Sequence, residues 1–231
     1  MLESVLYARD KWLNKQTGLL FPQKAIIYMS PCEMNNLYDE KINFWTDVYG
    51  FDMSAIMPLA MNELALKPKV DIISPSQLLT KRPICMKEMD LGTVTADDLK
   101  YIQCECYIQI DDAQEGQDYV HGFCVWFDCI FEPKTVVLST SPSAPPTHWK
   151  QTIVMLPQPL PIPSSKNLPK VMIQMTPSDA NQRHYDISLE IPDAFRDDLD
   201  EELDLKDIIM QQFEHDMDEG EDEDAIEEEE E

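Results

Sequence analysis

Glycine is scarce in this chain, 6 of 231 residues, and no two of them stand in a Gly-x-Gly spacing. A loop that cradles a nucleotide phosphate needs that spacing for its tight turn and close backbone approach, so no such loop is encoded. There is no Cys-x-x-Cys pair among the 6 cysteines, and none of the 4 histidines lies at ligand spacing from them. Structural zinc is therefore not indicated, and no metal is expected. Cys104 and Cys106 alternate along one strand, which leaves a metal or a disulfide open in principle. No apolar run approaches the roughly 18 to 20 residues of a membrane helix. Met1 leads into the charged, amphipathic "MLESVLYARDKWL" rather than an apolar signal run. The expectation is a cytoplasmic or nuclear chain with reduced thiols and no membrane partner.

Basic residues are few, 18 against 44 acidic ones, for a net charge of −26. The excess is not evenly spread. Asp193–Glu231 holds 21 acidic and 2 basic residues, a net of −19, leaving only −7 for the rest. A nearly neutral body with an acidic tail gives no footprint for nucleic acid, and no direct contact with it is expected. The tail keeps near-helical spacing at Phe195, Leu199, Leu203, Ile209, Phe213 and Met217. It reads as an acidic, disordered segment over 193–231, either a solvating tail or a binding motif.

Hydrophobic residues make up 43% of the chain, enough for a real core. Leu2, Val5, Leu6, Trp12 and Leu13 share a helical face, and "LLFP" (Leu19–Pro22) then reads as a short buried strand. One helix feeding one strand cannot make a core, so 1–22 looks like the remnant end of a doubly wound sheet. "KAIIYMS" reads as a strand, and Tyr38–Tyr49 returns to helical spacing with Ile42, Trp45 and Val48 or Tyr49 in register. Phe51, Met53, Ile56 and Met57 follow. This segment is either a helical pair folded on its own domain or an arm that docks on a partner.

From Val70 onward strands dominate. "CECYIQI", "HGFCVWFDCIF" and "HYDISLEI" are separated by turn-rich stretches, as in an antiparallel sandwich or barrel. The proline-rich "PQPLPIP" (Pro157–Pro163) reads as a stiff connector. Between the strand-like "TVVLST" and "TIVMLP" comes "THWKQT", with Thr147, His148 and Trp149 side by side. From these residues alone the run is either a recognition loop on a rigid scaffold or an ordinary buried Trp beside a surface His.

Four stretches then form one constellation: "VLYARDKWL" (Val5–Leu13) with "GLLFP", "VYGFDMS" (Val48–Ser54) and "LSTSPSAPPTHWKQT" (Leu138–Thr152). In that order they resemble the protein arginine methyltransferases, over roughly Met1–Ile191. The resemblance implies a mainly β fold: an antiparallel β-barrel over 23–192 with an inserted helical dimerisation arm at about 35–61. Before it would stand a remnant α-β unit of the family's doubly wound domain, which binds S-adenosyl-L-methionine. The arm residues would be Tyr38, Ile42, Trp45, Tyr49, Phe51 and Met53. Thr147, His148 and Trp149 would line the substrate pocket, with Trp149 walling the guanidinium and His148 holding the loop by hydrogen bonds.

The departures from the family are equally specific. Its glycine-rich loop, the acidic residue for the cofactor ribose and the glutamate pair that clamps arginine have no counterpart here. No catalytic residue is therefore assigned. The expectation is the barrel and dimerisation portion of an arginine methyltransferase, which transfers methyl groups to arginine-containing protein substrates. That portion would be incomplete, without competence or cofactor binding alone, and its partner would be a methyltransferase subunit. The alternative is a non-catalytic partner that binds and modulates a full-length enzyme.

Overall fold

A computed structural model of the 231-residue chain describes residues 2–132, 136–168, 170–179 and 184–191. The acidic segment 193–231 lies outside the described residues. The described chain is mainly β, in two antiparallel sheets. The larger one is built on β5 (Tyr119–Phe131), which the apolar run "HGFCVWFDCIF" predicts. Both faces of this strand are covered over its first half, and Val120, Phe123 and Cys124 are fully buried. That is why the segment shows no polar alternation.

One edge of β5 pairs with β1 (Lys24–Cys32), which pairs in turn with β3 (Ile84–Asp90). The other edge is shared. The 4-residue β6 (Val136–Ser139) takes the end at Asp128–Phe131, and β7 (Gln151–Pro161) takes Tyr119–Val125. The short β2 (Lys69–Asp71) adds to β7 at Gln151–Ile153. The second sheet has the order β4 (Ile102–Cys106), β8 (Val171–Pro177), β9 (Tyr185–Glu190). In β9 the alternation of "YDISLE" survives as half-buried and exposed positions in turn.

The expected closed barrel does not appear as one continuous ladder. Strands β3 and β4 lie beside each other, but no strand pairing among the described residues joins the two sheets. The connection between them runs through the turn at Leu91–Thr93 and a short 3-10 turn at Asp97–Leu99.

Other expectations also change. "LLFP" forms no strand, because no neighbouring strand takes up its backbone groups, and Leu19 and Phe21 are exposed. Of the α-β remnant, only the helix is formed: α1 (Leu2–Trp12) packs Leu6 among Ala25, Met89, Leu91, Val94 and Leu99. Arg9 latches it, its guanidinium donating to the carbonyls of Leu91 and Val94 at 2.9 and 2.7 Å. The strand expected at Cys104–Ile110 stops at Cys106, and Tyr107 turns out to solvent. Pro157, Pro159 and Pro161 lie within β7 rather than in a connector. Strand β2 reaches only Ile153, so the later residues of β7 are at a sheet edge, where missing N–H donors cost no ladder bonds.

The helix expected over Tyr38–Tyr49 is also broken. Helix α2 (Asn35–Lys41) ends after two turns, and a 3-10 turn follows at Asn43–Thr46. Val48 and Phe51 then exchange both backbone hydrogen bonds, at 2.8 and 3.1 Å, around Tyr49 and Gly50. Both central residues have positive φ, 54° and 91°, the geometry of a two-residue hairpin turn. Helix α3 (Met57–Leu66) then packs on β7, with Leu64 against the cluster of Cys32, Met34, Leu37, Cys124, Trp126, Ile153 and Met155.

Gly122 marks a close approach of β5 and β7. A Cβ there would overlap the Val154 carbonyl oxygen and lie 3.1 Å from the Met155 Cα. Both obstacles are backbone, so Gly122→Ala should lower stability by about 1–3 kcal/mol, read as a shifted urea midpoint.

Candidate functional site

Strands β6 and β7 run in the same direction along one edge of β5. Asp128 pairs with Ser139 and Val125 with Thr152. Between these pairs only Trp126 and Phe127 remain on β5, facing Gln151 and Thr140. Ser141–Lys150 is thus a ten-residue excursion from what would otherwise be one continuous strand. It leaves and returns at the same place, as an Ω-type loop does. Thr140 closes the first side of the neck: its backbone N–H and its hydroxyl donate to the Phe127 carbonyl at 3.0 and 2.9 Å, and Phe127 N–H donates back to Thr140 Oγ1 at 3.0 Å.

The excursion carries Thr147, His148 and Trp149. They form a turn in which Lys150 N–H donates to the Thr147 carbonyl at 3.2 Å. Lys150 sits at φ 56°, a left-handed conformation that costs a non-glycine residue about 1–2 kcal/mol. Trp149 is neither core nor free: the residue is 39% exposed, and its ring is edge-on to Phe127 with centroids 5.9 Å apart. His148 lies against it at 3.9 Å and 35°. The imidazole touches the indole, and among the described residues it makes no side-chain hydrogen bond. Among the described residues, buried Thr147 Oγ1 finds no hydrogen-bond partner, and neither does Asp128 Oδ1 on β5.

Lys150 Nζ lies 3.7 Å from Asp71 Oδ1 on β2. The Ile72 N–H donates to that carboxylate and, together with Lys69 and Lys150, holds it below its usual range. The turn therefore sets its aromatic pair beside an Asp71 carboxylate flanked by two ammonium groups, Lys69 at 3.5 Å and Lys150 at 3.7 Å. It contributes no carboxylate of its own.

The six expected arm residues do not share one surface. Ile42 is fully buried, and Tyr38 is half-buried with its ring 5.3 Å from His121 and its hydroxyl 3.7 Å from Met61 Sδ. Trp45 is half-buried, its indole N–H donating to the Lys41 carbonyl at 3.1 Å. Tyr49 is 96% exposed, Phe51 73% and Met53 36%. The outward group sits at the tip, where the Met53 N–H donates to the Trp45 carbonyl at 2.9 Å. Tyr38 and Ile42 form the root. A buried histidine beneath that root was not singled out from sequence. His121 Nδ1 accepts the Met34 N–H at 3.3 Å just ahead of α2, and the clue was a polar residue inside the apolar run of β5.

Among the described residues no three His, Cys, Asp or Glu side chains are grouped as metal ligands. The Cys106 thiol is pushed up to about 12, mainly by burial, and that of Cys124 likewise. Neither is an activated nucleophile.

Residues 23–192 match the family model described as the arginine methyltransferase oligomerization subdomain. Protein arginine N-methyltransferase 8-B of Danio rerio is 38% identical over 193 residues, 83% of this chain and 43% of the relative. Protein arginine N-methyltransferase 1 of Dictyostelium discoideum is 38% identical over 192 residues, 82% and 53% respectively. The chain thus spans about half the length of the curated relatives it matches. Among solved structures, the Trypanosoma brucei PRMT1 enzyme–prozyme heterotetrameric complex with AdoHcy is similar, with a TM-score of 0.63 and 31% identity. That likeness covers 83% of this chain and 57% of the neighbour.

Burial lowers the His121 imidazole from its ordinary 6.5, against the opposing pull of Glu33 and Asp39. A histidine depressed by folding is protonated first in the unfolded chain. Its contribution is intact above pH 6.5 and is lost as the pH falls through the lower folded value. Urea titrations between pH 7.5 and 5.5 should therefore show stability falling with pH, and falling less in His121→Gln.

Proposed function

The chain belongs to the protein arginine methyltransferases, and from that premise we propose that it is the barrel and dimerisation portion of such an enzyme, not competent for catalysis alone. The supporting observation is the match of the oligomerization subdomain over 23–192, together with a Thr147–Trp149 turn mounted on a clasped loop. In this reading the two sheets belong to the family's barrel, and 35–61 is the arm that reaches a second subunit. Trp149 receives the guanidinium of a protein arginine. The parent activity is methyl transfer from S-adenosyl-L-methionine in the cytoplasm or nucleus.

A guanidinium, with a pKa above 12, is a weak nucleophile until carboxylates localise its charge. Trp149 and His148 supply shape and a π face, and nothing on their turn supplies those carboxylates. The described residues also do not fit the cofactor. No Gly-x-Gly loop leads into a helix, and the first described helix, α1, packs into a sheet that carries no such loop. S-adenosyl-L-methionine should therefore show no saturable heat on titration into the isolated chain. A 1:1 micromolar isotherm would overturn this.

A second reading has its own support. The Trypanosoma neighbour is described as an enzyme–prozyme complex. By analogy, this chain joins a full-length methyltransferase and modulates it, presenting the apolar tip around Trp45, Tyr49 and Phe51. Mixed with a full-length family enzyme, it should form a hetero-oligomer visible by light scattering and lost in the double variant Trp45→Ala, Phe51→Ala. Joined to a complete cofactor domain, Trp149→Ala should cut the methylation rate while leaving the melting temperature nearly unchanged. Equal loss of fold and rate would retire the pocket assignment.

A further inference from the structure

The excursion Ser141–Lys150 opens from a neck only two residues wide, Thr140 and Gln151. Backbone pairing holds the Thr140 side through Phe127. The Gln151 side is held differently. Gln151 is 3% exposed, a long polar side chain in a strand whose next inward positions are apolar. Its amide is used at both ends. Nε2 donates to the Thr140 carbonyl at 2.8 Å, across the neck, and Oε1 accepts the Ile73 N–H at 3.2 Å. Ile73 is itself 3% exposed, two residues past β2 and seven past the end of α3.

One side chain therefore satisfies two buried backbone groups belonging to two segments, the loop neck and the chain that follows α3. A neutral group with a donor and an acceptor at opposite corners of a rigid plane is required. Leucine would fill the space and leave both groups unpaired, and a carboxylate could only accept. Beyond the clasp, Lys150 turns left-handed and Trp149 lies against Phe127. If the neck opened, nothing in the register of β5 would hold Trp149 at that contact, because the β5 ladder stops at Val125 on one side and resumes at Asp128 on the other.

We infer that Gln151 is the positioning residue of the Thr147–Trp149 turn, clasping the loop across its neck and tying it to the segment that follows α3. This rests on the reading of that turn as the substrate-facing element. It also ties the turn to the chain that follows α3: β2 pairs with Gln151–Ile153, and the clasp extends that link by two residues.

The test uses the full chain labelled with 5-fluorotryptophan. The four tryptophan resonances are resolved by fluorine NMR, and that of Trp149 is assigned by its absence in Trp149→Phe. Gln151→Leu should shift and broaden the Trp149 resonance and leave that of Trp12, on α1, in place. Leu160→Ala, at the far end of the same strand, should lower the melting temperature without moving Trp149. Gln151→Glu should coincide with wild type at a pH where the new carboxyl is protonated, since it then donates and accepts, and depart from it once ionised. An unmoved Trp149 in Gln151→Leu overturns the inference. So does an equal displacement in Leu160→Ala, or a Gln151→Glu variant indifferent to pH. The readout involves no substrate. A responsive Trp149 that arginine peptides ignore leaves the clasp standing and removes the pocket reading. An unresponsive one with intact peptide binding removes only the clasp.

Discussion

The hydrogen-bonding edge of β5 opposite β1 is the constraint on which the rest depends. A strand of 13 residues offers more edge than either of its partners on that side can fill, so β6 and β7 divide it. The division is not wasteful, because the register of one continues into the other. The chain can leave the sheet for ten residues and return without a slip that would turn every later side chain of β7 to the wrong face. The Thr147–Trp149 turn is thereby placed on a rigid base at the cost of very little ladder, and the neck polar groups that lose ladder partners find them in Thr140 and Gln151.

The same strand organises the other end of the molecule. Its first half packs Cys124 and Trp126 into the cluster that seats α3 through Leu64, and His121 accepts the backbone N–H that precedes α2. Residues 35–61 are therefore rooted in the core while their tip is not. Fully exposed Tyr49 and largely exposed Phe51 are unusual on a monomer's surface, where apolar area costs about 25 cal/mol per Å² left in water. The contrast between a buried root and a bare aromatic tip supports the proposed arm, and it agrees with an oligomerization subdomain.

Much of this was legible from residues. The long apolar strand, the alternation of β9, the β1 segment and the turn-rich separators all carry short-range patterns, and each element formed close to where its pattern placed it. Local patterns failed where a partner decides the outcome. Leu19–Pro22 has strand composition and no neighbour to pair with. The prolines of β7 look like a connector until β2 is seen to stop short of them. The helix through Tyr49 gives way to a hairpin turn because Tyr49 and Gly50 adopt positive φ, which spacing of apolar residues does not encode.

The sequence by itself determined the family, the β-rich class, the concentration of acid after residue 193 and the run Thr147–Trp149 as a point of interest. These depend on residue identity and order, and so does the absence of a phosphate-binding loop. Tertiary structure alone decided that Trp149 is a partly exposed ring braced by Phe127, that Tyr38 and Ile42 point inward while Tyr49 and Phe51 point out, and that a glutamine closes the loop. Each of these depends on which groups from distant segments arrive side by side. Thr140 and Gln151 are neighbours only because β5 pairs with both of their strands along a single edge.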